Sequence, residues 1–286
     1  MFRPSDHGAD LSEEEFRLLR EFIHERFGLF FEENQRDSLR SRLAGRLSSL
    51  GLLSFEDYYR YLRFGPERVQ EEARMISHLT NNETYFFRES AQLHVFADVA
   101  LRNVKERKAK AGEQSVRVLS VGCSTGEEAL TLAMIVYDSG QFFWGWDVRI
   151  VGLDVDPEAL GKAERGLYHQ NSFRAMTPAA TERHFVKGPG GMQAKEVIRR
   201  MVSLRRGNLL DPASFEGIAP ADVIFCRNVL IYFDKDLQNH VHALFYESLV
   251  RLGVLCLGTK ETLKFSNFES NYERLSPSEK IYRKIV

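Results

Sequence analysis

From residue 115 onwards the sequence alternates short apolar runs with segments of helical character. Four runs, at 115–122, 148–156, 221–233 and 253–259, are rich in Val, Ile, Leu and Phe. Strands that are apolar on both faces are typical of parallel sheets covered by helices on both sides, and the alternation of strands with helices favours the same arrangement. The sequence therefore predicts the α/β fold class, with a Rossmann-like sheet.

The first third of the chain shows only helical patterns. Ser12 and Glu15 have the spacing of a capping box, and apolar residues then recur at helical spacing until Gly28. Further helices are predicted at 35–50, 55–64 and 67–79, after a disordered leader at 1–10. For a chain of 286 residues two domains are expected. We predict a helical N-terminal domain over 1–92 and a second domain over 93–286.

One segment interrupts the alternation of strands and helices. A helix-like stretch at 178–185 is followed by Gly-Pro-Gly-Gly at 188–191, with flanking runs that could pair antiparallel. We predict a small antiparallel β subdomain inserted at about 169–207.

Composition excludes several classes of protein. The net charge is −1, from 39 basic and 40 acidic residues, so no overall field favours nucleic acid. No apolar run is long enough to span a bilayer, and the N-terminus lacks the apolar core of a secretory signal. The three cysteines form no C-x-x-C pair, which disfavours disulfides and structural zinc. We expect a cytoplasmic monomer without a metal site, membrane insertion or a nucleic-acid partner.

A glycine-rich turn follows the first predicted strand. Gly122 and Gly126 flank it, the helix after it starts with Glu127 and Glu128, and the second strand ends in Asp154. Such a turn lets a ligand approach the backbone, and an acidic residue after the second strand can accept hydrogen bonds from ribose hydroxyls. The alternative is a packing turn beside a surface aspartate.

The spacing of this turn excludes two common phosphate-binding motifs. Neither G-x-G-x-x-G nor a G-K-[ST] loop is present, and paired glutamates would repel a pyrophosphate. They suit a cationic or zwitterionic ligand such as S-adenosylmethionine, which carries a sulfonium and an amino group.

Polar residues near the ends of later strands are further candidates. Asn208 and Leu209 follow the run VSLRRG, where an adenine ring could be flanked. Arg227 and Asn228 end the strand ADVIFC, and Tyr232 lies four residues further on. Residues at the carboxyl ends of central strands are site candidates by position, although Tyr232 could equally be a half-buried aromatic.

Four segments together resemble one family, the bacterial chemotaxis receptor methyltransferases of the CheR type. The segments are NETYFFR at 82–88, GCSTGEE at 122–128, GLDVD at 152–156 and FCRNVLIYFD at 225–234. Their order and spacing match over about residues 12–280. Two departures are Ala129, where a proline is common, and the segment Gly258–Thr262, where a G-H-S-E-N-like turn is common.

The resemblance implies an enzyme that methylates glutamate side chains on chemoreceptor cytoplasmic helices, with S-adenosylmethionine as cofactor and S-adenosylhomocysteine as product. It implies Arg88 and Tyr232 as catalytic residues. The residues that it implies for the cofactor are Asn82, Thr84, Arg88, Gly122, Glu128, Asp154, Asn208, Leu209, Arg227 and Asn228.

The chemistry of this reaction needs few groups. A glutamate with a pKa of about 4.3 is already ionised at neutral pH, so no general base is required. Arg88 could hold the carboxylate by two hydrogen bonds and share its positioning with the Tyr232 hydroxyl. Arg88 could also form a salt bridge between the domains.

The second helix carries a stripe of leucines with arginines on both sides. Arg42 and Arg46 flank one side and are our candidates for docking acidic receptor helices. The alternatives are a solvated face, whose arginine stems cover core edges, and nucleic-acid binding. Against the last stand the 17 acidic residues, 13 arginines and absent lysines of residues 1–90.

Three further interpretations concern function. In the family that the chain resembles, the β insertion can bind a tethering peptide at the receptor's C-terminus, and members without this function have a shorter glycine-containing loop. Because the segment 187–192 is compact, the resemblance implies that the β subdomain does not tether a receptor tail. The same fold could instead methylate a small molecule or RNA. A non-catalytic module that only senses the cofactor is the third possibility, which the presence of Arg88 and Tyr232 disfavours.

Overall fold

A computed structural model describes residues 9–218, 220–264 and 266–286. The chain divides into two compact units, of which the first ends at Asn81 and the second is Asn82–Val286. Most of the predicted leader, residues 1–8, lies outside the described residues.

The described part of the first unit, residues 9–81, contains four α-helices, which confirms the predicted helical domain. They are α1 (Glu13–Phe27), α2 (Arg36–Leu50), α3 (Phe55–Phe64) and α4 (Arg68–Leu79). The predicted capping box is present, because the Ser12 hydroxyl accepts from the Glu15 amide and the Glu15 carboxylate accepts from the Ser12 amide. Helix α1 ends at Gly28, whose φ of 74° is the left-handed conformation of a helix C-cap.

A buried ion pair ties α2 to α4. Nε and Nη2 of the Arg46 guanidinium donate to the two carboxylate oxygens of Glu71, over 2.9 and 2.6 Å. The Tyr58 hydroxyl of α3 donates to the same carboxylate over 2.8 Å. Glu71 is fully buried, so its charge is removed from water. The three hydrogen-bond donors replace the lost hydration.

This ion pair bears on the predicted docking role of Arg46, which stays a prediction. Its side chain is only 13% exposed, and two of its guanidinium nitrogens donate to Glu71. Arg42 is exposed, but one of its guanidinium nitrogens donates to the Leu79 carbonyl at the end of α4, over 2.6 Å. A helical-wheel pattern places a residue on a face but does not show which helix packs there.

The second unit begins at residue 82, eleven residues before the predicted start at residue 93. Phe86 is fully buried in the core of this unit, where its ring contacts those of Tyr168 and Phe185, and its amide donates to the Ser172 carbonyl. The Gln92 side chain donates to the Leu257 carbonyl. These contacts assign the segment from residue 82 onwards to the second unit.

The predicted parallel sheet is confirmed. Five parallel strands are followed by two antiparallel ones, in the order β6-β2-β1-β7-β8-β10-β9. The strands are β1 (Ser115–Val121), β2 (Asp147–Asp154), β6 (Val202–Arg206), β7 (Ala221–Cys226), β8 (Leu249–Leu257), β9 (Tyr272–Arg274) and β10 (Ile281–Lys284).

The remaining helices pack around this sheet. Helix α5 (Ser90–Val95) continues through a π-helical segment, Phe96–Ala100, into α6 (Leu101–Lys110). The others are α7 (Glu127–Asp138), α8 (Pro157–Arg165), α9 (Pro178–His184), α10 (Glu196–Arg199) and α11 (Lys235–Ser248). The apolar run at 221–233 is a strand only as far as Cys226, and its last part forms a short 3₁₀ turn at Leu230–Tyr232.

The predicted β subdomain is a three-stranded antiparallel sheet. Its order is β3-β5-β4, with β3 at Leu167–Tyr168, β4 at Phe185–Gly188 and β5 at Gly191–Ala194. The subdomain sheet ends at Ala194, earlier than the predicted limit of 207, because β6 pairs with β2 in the main sheet.

The described residues contain neither a membrane-spanning helix nor a metal-binding cluster. None of their helices has the length and apolar character needed to cross a bilayer. Among the same residues, no group of three or more His, Cys, Asp or Glu side chains is arranged to hold a metal ion.

We predict that Arg46→Ala destabilises the first unit by about 3–5 kcal/mol, because it leaves the Glu71 charge buried without its partner. Urea unfolding measures this change. The matched control is Arg60→Ala, which removes an exposed i,i+4 pair with Glu56 and should change the free energy of unfolding little. Equal effects of the two substitutions would contradict the structural role of Arg46.

Candidate functional site

The candidate site lies at the carboxyl ends of β1, β2 and β7. The chain passes from β1 to β2 on one side of the sheet, and β7 pairs with β1 on the other side. This is the position where the strand order reverses, which is where open α/β sheets bind ligands. The sequence-predicted glycine turn, Asp154 and the Arg227–Asn228 pair all lie at this edge.

Glycine is required at the first position of the turn after β1. Gly122 has a φ of 69°, and a Cβ atom there would lie 2.3 Å from the Cγ2 of Val229. The turn after β1 and the turn after β7 are therefore in direct contact. Gly126 has a φ of 91° and forms the N-cap of α7, so the chain reverses sharply before the helix begins.

The carboxylate of Asp154 stabilises this turn. One oxygen accepts from the Ser124 amide over 2.6 Å, and the other accepts from the Asp156 amide over 2.9 Å. Burial raises the pKa of Asp154 to about 6, although the amide donors oppose this. The alternative of a surface aspartate is wrong, since Asp154 is 8% exposed.

Asn82 connects the segment at 82–88 to the same turn. Its side-chain amide nitrogen donates to the Asp156 carboxylate over 2.6 Å, and its side-chain oxygen accepts from the Ser124 hydroxyl over 3.1 Å. Thr84 lies half-buried in the same loop. The structure thus brings three of the four motif segments into contact through side chains.

The two glutamates after the turn have different surroundings. Both carboxylate oxygens of Glu127 are engaged, one by the Thr125 hydroxyl and one by the Ser172 hydroxyl, over 2.6 and 2.9 Å. Glu128 accepts from the Ser120 hydroxyl over 2.7 Å and turns its second oxygen towards Arg227. Only Glu128 is therefore oriented towards the site.

A buried guanidinium lies between two carboxylates. The Nε of Arg227 is 3.5 Å from Glu128 and 3.8 Å from Glu89, and its side chain is 2% exposed. Another of its nitrogens donates to the Arg88 carbonyl. Burial raises the pKa of Glu128, while the charge of Arg227 lowers it.

Two buried polar atoms of this cluster have no hydrogen-bond partner, namely the Nε of Arg227 and one carboxylate oxygen of Glu89. Buried polar groups are normally satisfied, and exceptions often mark a ligand site. One free donor and one free acceptor side by side fit a ligand that carries both a carboxylate and an ammonium group, as the amino-acid end of S-adenosylmethionine does.

Strained backbone is concentrated around the same cluster. Four of the described residues other than glycine with positive φ belong to these loops: Phe87 at 57°, Glu89 at 56°, Ser124 at 50° and Asn228 at 62°. Such conformations cost of order 1–3 kcal/mol each and persist only where surrounding contacts impose them.

Asn208 and Leu209 follow β6, next to β2. The Gly207 amide donates to the Asp154 carbonyl over 2.9 Å, which places them beside the carboxylate-stabilised turn. Leu209 is buried, and the Asn208 side-chain oxygen accepts from the Leu210 amide over 3.0 Å. An apolar and an amide group at this position are compatible with a flat heteroaromatic ring.

The two predicted catalytic residues lie in the two loops that the Arg227 cluster joins. Arg88 donates to the Glu83 carbonyl over 2.9 Å and is half-buried. Tyr232 lies in a short 3₁₀ turn after Asn228 and is 38% exposed. This partial exposure agrees with both interpretations of Tyr232, as a half-buried aromatic and as a site residue.

Sequence reasoning missed Glu89 and Glu261. Glu89 directly follows the segment NETYFFR at 82–88. It lies close to Arg227, which comes 138 positions later in the sequence, so local patterns could not show this contact. Glu261 belongs to the segment that departs from the family pattern, but its carboxylate accepts from the amides of Val229 and Leu230. The signal that could have identified Glu261 was an acidic side chain within the segment Gly258–Thr262, shortly after the apolar run at 253–259.

Two family models match the chain. "CheR methyltransferase, all-alpha domain" matches residues 14–80, and "CheR methyltransferase, SAM binding domain" matches residues 82–279. The limit between the two matches coincides with the division of the structure after Asn81. The cofactor of the second model is the one that the Arg227 cluster fits.

Several characterised sequences are similar over most of the chain. "Chemotaxis protein methyltransferase 2" of Vibrio cholerae is 32% identical over 88% of this chain and 87% of its own length. "Chemotaxis protein methyltransferase" of Escherichia coli is 33% identical over 92% and 88%. "Probable biofilm formation methyltransferase WspC" of Pseudomonas putida is 34% identical over 84% of this chain and 55% of its own length.

We predict that Gly122→Ala weakens S-adenosylmethionine binding roughly tenfold or more, because the added methyl group displaces Val229 and the turn after β7. Isothermal titration calorimetry measures the affinity. The control is Gly112→Ala, which has nearly the same φ, 70°, but no atom within 4 Å of the added Cβ. It should lose only about 1–2 kcal/mol of stability from the left-handed backbone and keep its affinity.

Proposed function

The chain belongs to the CheR methyltransferase family, and from this premise we propose that it methylates glutamate side chains on chemoreceptor cytoplasmic helices. The methyl donor is S-adenosylmethionine and the product is S-adenosylhomocysteine. The observation that carries the proposal for this chain is the buried Arg227, set between Glu89 and Glu128 in loops that also carry Arg88 and Tyr232.

We assign cofactor binding to the three loops at the sheet edge. Glu128 and Arg227 hold the amino and carboxylate groups, and Asp154 accepts from the ribose hydroxyls with the lone pairs that its amide contacts leave free. Asn82, Thr84, Gly122 and Asn228 shape the backbone around them, and Asn208 with Leu209 flanks the adenine. The bound cofactor supplies a methyl group activated by a sulfonium.

The protein's own part in the reaction is to bind, orient and desolvate a carboxylate. A glutamate side chain is ionised at neutral pH and attacks as it is, so no residue has to remove a proton. Arg88 orients it by charge-assisted hydrogen bonds, and the Tyr232 hydroxyl donates to the same group. Sharing the carboxylate between the two donors prevents one tight ion pair from reducing its nucleophilicity.

Competing nucleophiles near the turn are held inactive. Cys123 lies within the glycine turn and Cys226 ends β7, and both are buried. Burial raises the pKa of each thiol well above its ordinary value. Because the thiolate is the nucleophilic form, neither cysteine competes with the substrate carboxylate for the methyl group.

The substrate side of the proposal differs from the sequence prediction in one respect. Arg46 is occupied by Glu71, so receptor docking on this helix is assigned to Arg42 without it. We propose a cytoplasmic monomer whose partners are receptor cytoplasmic domains. The tight turn between β4 and β5, where Gly188 pairs with Gly191, supports a subdomain without a tail-tethering function.

We expect labelled methyl transfer from S-adenosylmethionine to purified receptor cytoplasmic fragments. The label should be released by base, as from a methyl ester, and should be lost when the acceptor glutamates are replaced by alanine. Fragments with and without their C-terminal tails should be methylated at similar rates. Labelling of RNA or a small molecule but not of any fragment, or cofactor binding without transfer, would contradict the proposal.

We predict that Arg88→Ala and Asp154→Asn separate turnover from binding. Arg88→Ala should lower kcat roughly 100-fold, because the carboxylate loses its orientation, with a small change in cofactor affinity. Asp154→Asn should weaken the cofactor about 10–100-fold, because one hydrogen bond to a charged group is lost. Tyr232→Phe keeps the ring and tests the hydroxyl alone.

Steady-state kinetics with a saturating receptor fragment gives kcat, and calorimetry gives the cofactor affinity. If Asp154→Asn bound the cofactor like the parent, the ribose assignment would be wrong. If Arg88→Ala lowered the cofactor affinity and kcat by the same factor, Arg88 would belong to the cofactor site only.

A further inference from the structure

The carboxylate of Glu261 joins two loops of the site. One oxygen accepts from the amides of Val229 and Leu230, each over 2.8 Å, and the other accepts from the Gly258 amide over 2.6 Å. Glu261 is 4% exposed. It therefore links the turn after β7 to the turn after β8 without contributing to the site surface itself.

The loop after β7 needs such an external acceptor. Its residues leave the sheet after Cys226, and Asn228 adopts a φ of 62°. Without Glu261 the amides of Val229 and Leu230 would lose these acceptors, and a buried amide without a partner costs about 1–3 kcal/mol. The loop conformation is thus imposed by a side chain 31 to 32 positions further along the chain.

Close packing makes this contact sensitive to geometry. A Cβ atom at Gly258 would lie 2.7 Å from the Glu261 carboxylate and 2.9 Å from the Asn228 amide nitrogen. The end of β7 pairs with the end of β8, with Cys226 opposite Leu257. A shift of Glu261 is therefore transmitted directly to the backbone of Arg227 and Asn228.

We propose that Glu261 is a positioning residue for the methyltransferase site. It holds the backbone that presents Arg227 to Glu89 and Glu128, places the Asn228 side chain 3.4 Å from Glu89, and starts the 3₁₀ turn that carries Tyr232. The expected effect of Glu261 on turnover rests on the proposed function. Its expected effect on cofactor binding does not depend on the protein substrate.

A second buried carboxylate on the same strand provides a matched control. Asp222 lies at the start of β7, opposite to the site, and is 1% exposed. It accepts from the Arg117 amide over 2.9 Å, from the Arg107 guanidinium and from the Lys108 ammonium. Like Glu261, it is a buried carboxylate that accepts hydrogen bonds from backbone amides, but it lies at the other end of the strand.

The test compares Glu261→Gln with Asp222→Asn in the full chain. Both substitutions should lower the thermal midpoint, because each removes a buried charge that accepts several hydrogen bonds. Only Glu261→Gln should weaken S-adenosylmethionine binding, by about tenfold, and lower kcat with receptor fragments. Asp222→Asn should keep the parent affinity and kcat within about twofold.

A second variant covers the case in which Glu261→Gln does not fold. Gly258→Ala leaves the carboxylate in place and pushes the same loops apart, and it should reduce cofactor affinity in the same direction. Unchanged affinity in folded Glu261→Gln, or an equal loss in Asp222→Asn, would overturn the proposal.

The two proposals fail in different ways. If the parent binds S-adenosylmethionine but methylates no receptor fragment, the proposed function is wrong while the role of Glu261 in cofactor binding can still be measured by calorimetry. If the parent methylates receptor fragments and Glu261→Gln does so at the parent rate and affinity, only the role of Glu261 is wrong.

Discussion

A buried guanidinium needs partners, and the partners of Arg227 come from two distant segments of the chain. Glu128 begins the helix after β1, whereas Glu89 and the Arg88 carbonyl belong to the segment before α5. Because an unpaired buried charge is strongly destabilising, these segments are held together around one side chain. The Nε of Arg227 and one oxygen of Glu89 make no hydrogen bond, and the proposed site for a zwitterion rests on these two atoms.

The glycines and left-handed residues of the site follow from the same crowding. Gly122 cannot carry a Cβ atom because Val229 occupies that space. Asn228 has a positive φ, its side chain donates to Glu89, and the amide of the next residue, Val229, donates to Glu261. Strain of this kind persists only where the surrounding structure imposes it. The outer carboxylate, Glu261, therefore matters for the site although it is remote from the motif that carries Arg227.

Local patterns predicted the helices of the first unit, the parallel sheet and the turn after β1, because apolar periodicity and caps act over a few residues. They could not show long-range contacts. The helical wheel placed Arg46 beside the leucine stripe and suggested an interaction surface, but Glu71 of α4 occupies its guanidinium. The division of the structure after Asn81, rather than at the predicted residue 92, has the same cause, since Phe86 packs with aromatic residues of the second unit some 80 to 100 positions later.

The sequence by itself determined the fold class, the family resemblance and the chemical types assembled at the sheet edge, because strand periodicity, glycine turns and motif order are written in consecutive residues. Only the tertiary structure decided what each charged group does. Glu127 is satisfied locally by Thr125 and Ser172 while its neighbour Glu128 turns to Arg227, and Glu261 lies in a segment that departs from the family pattern yet holds the loop after β7. The physical reason is that burial and hydrogen bonding, which assign a role to a charge, depend on residues brought together from distant parts of the chain.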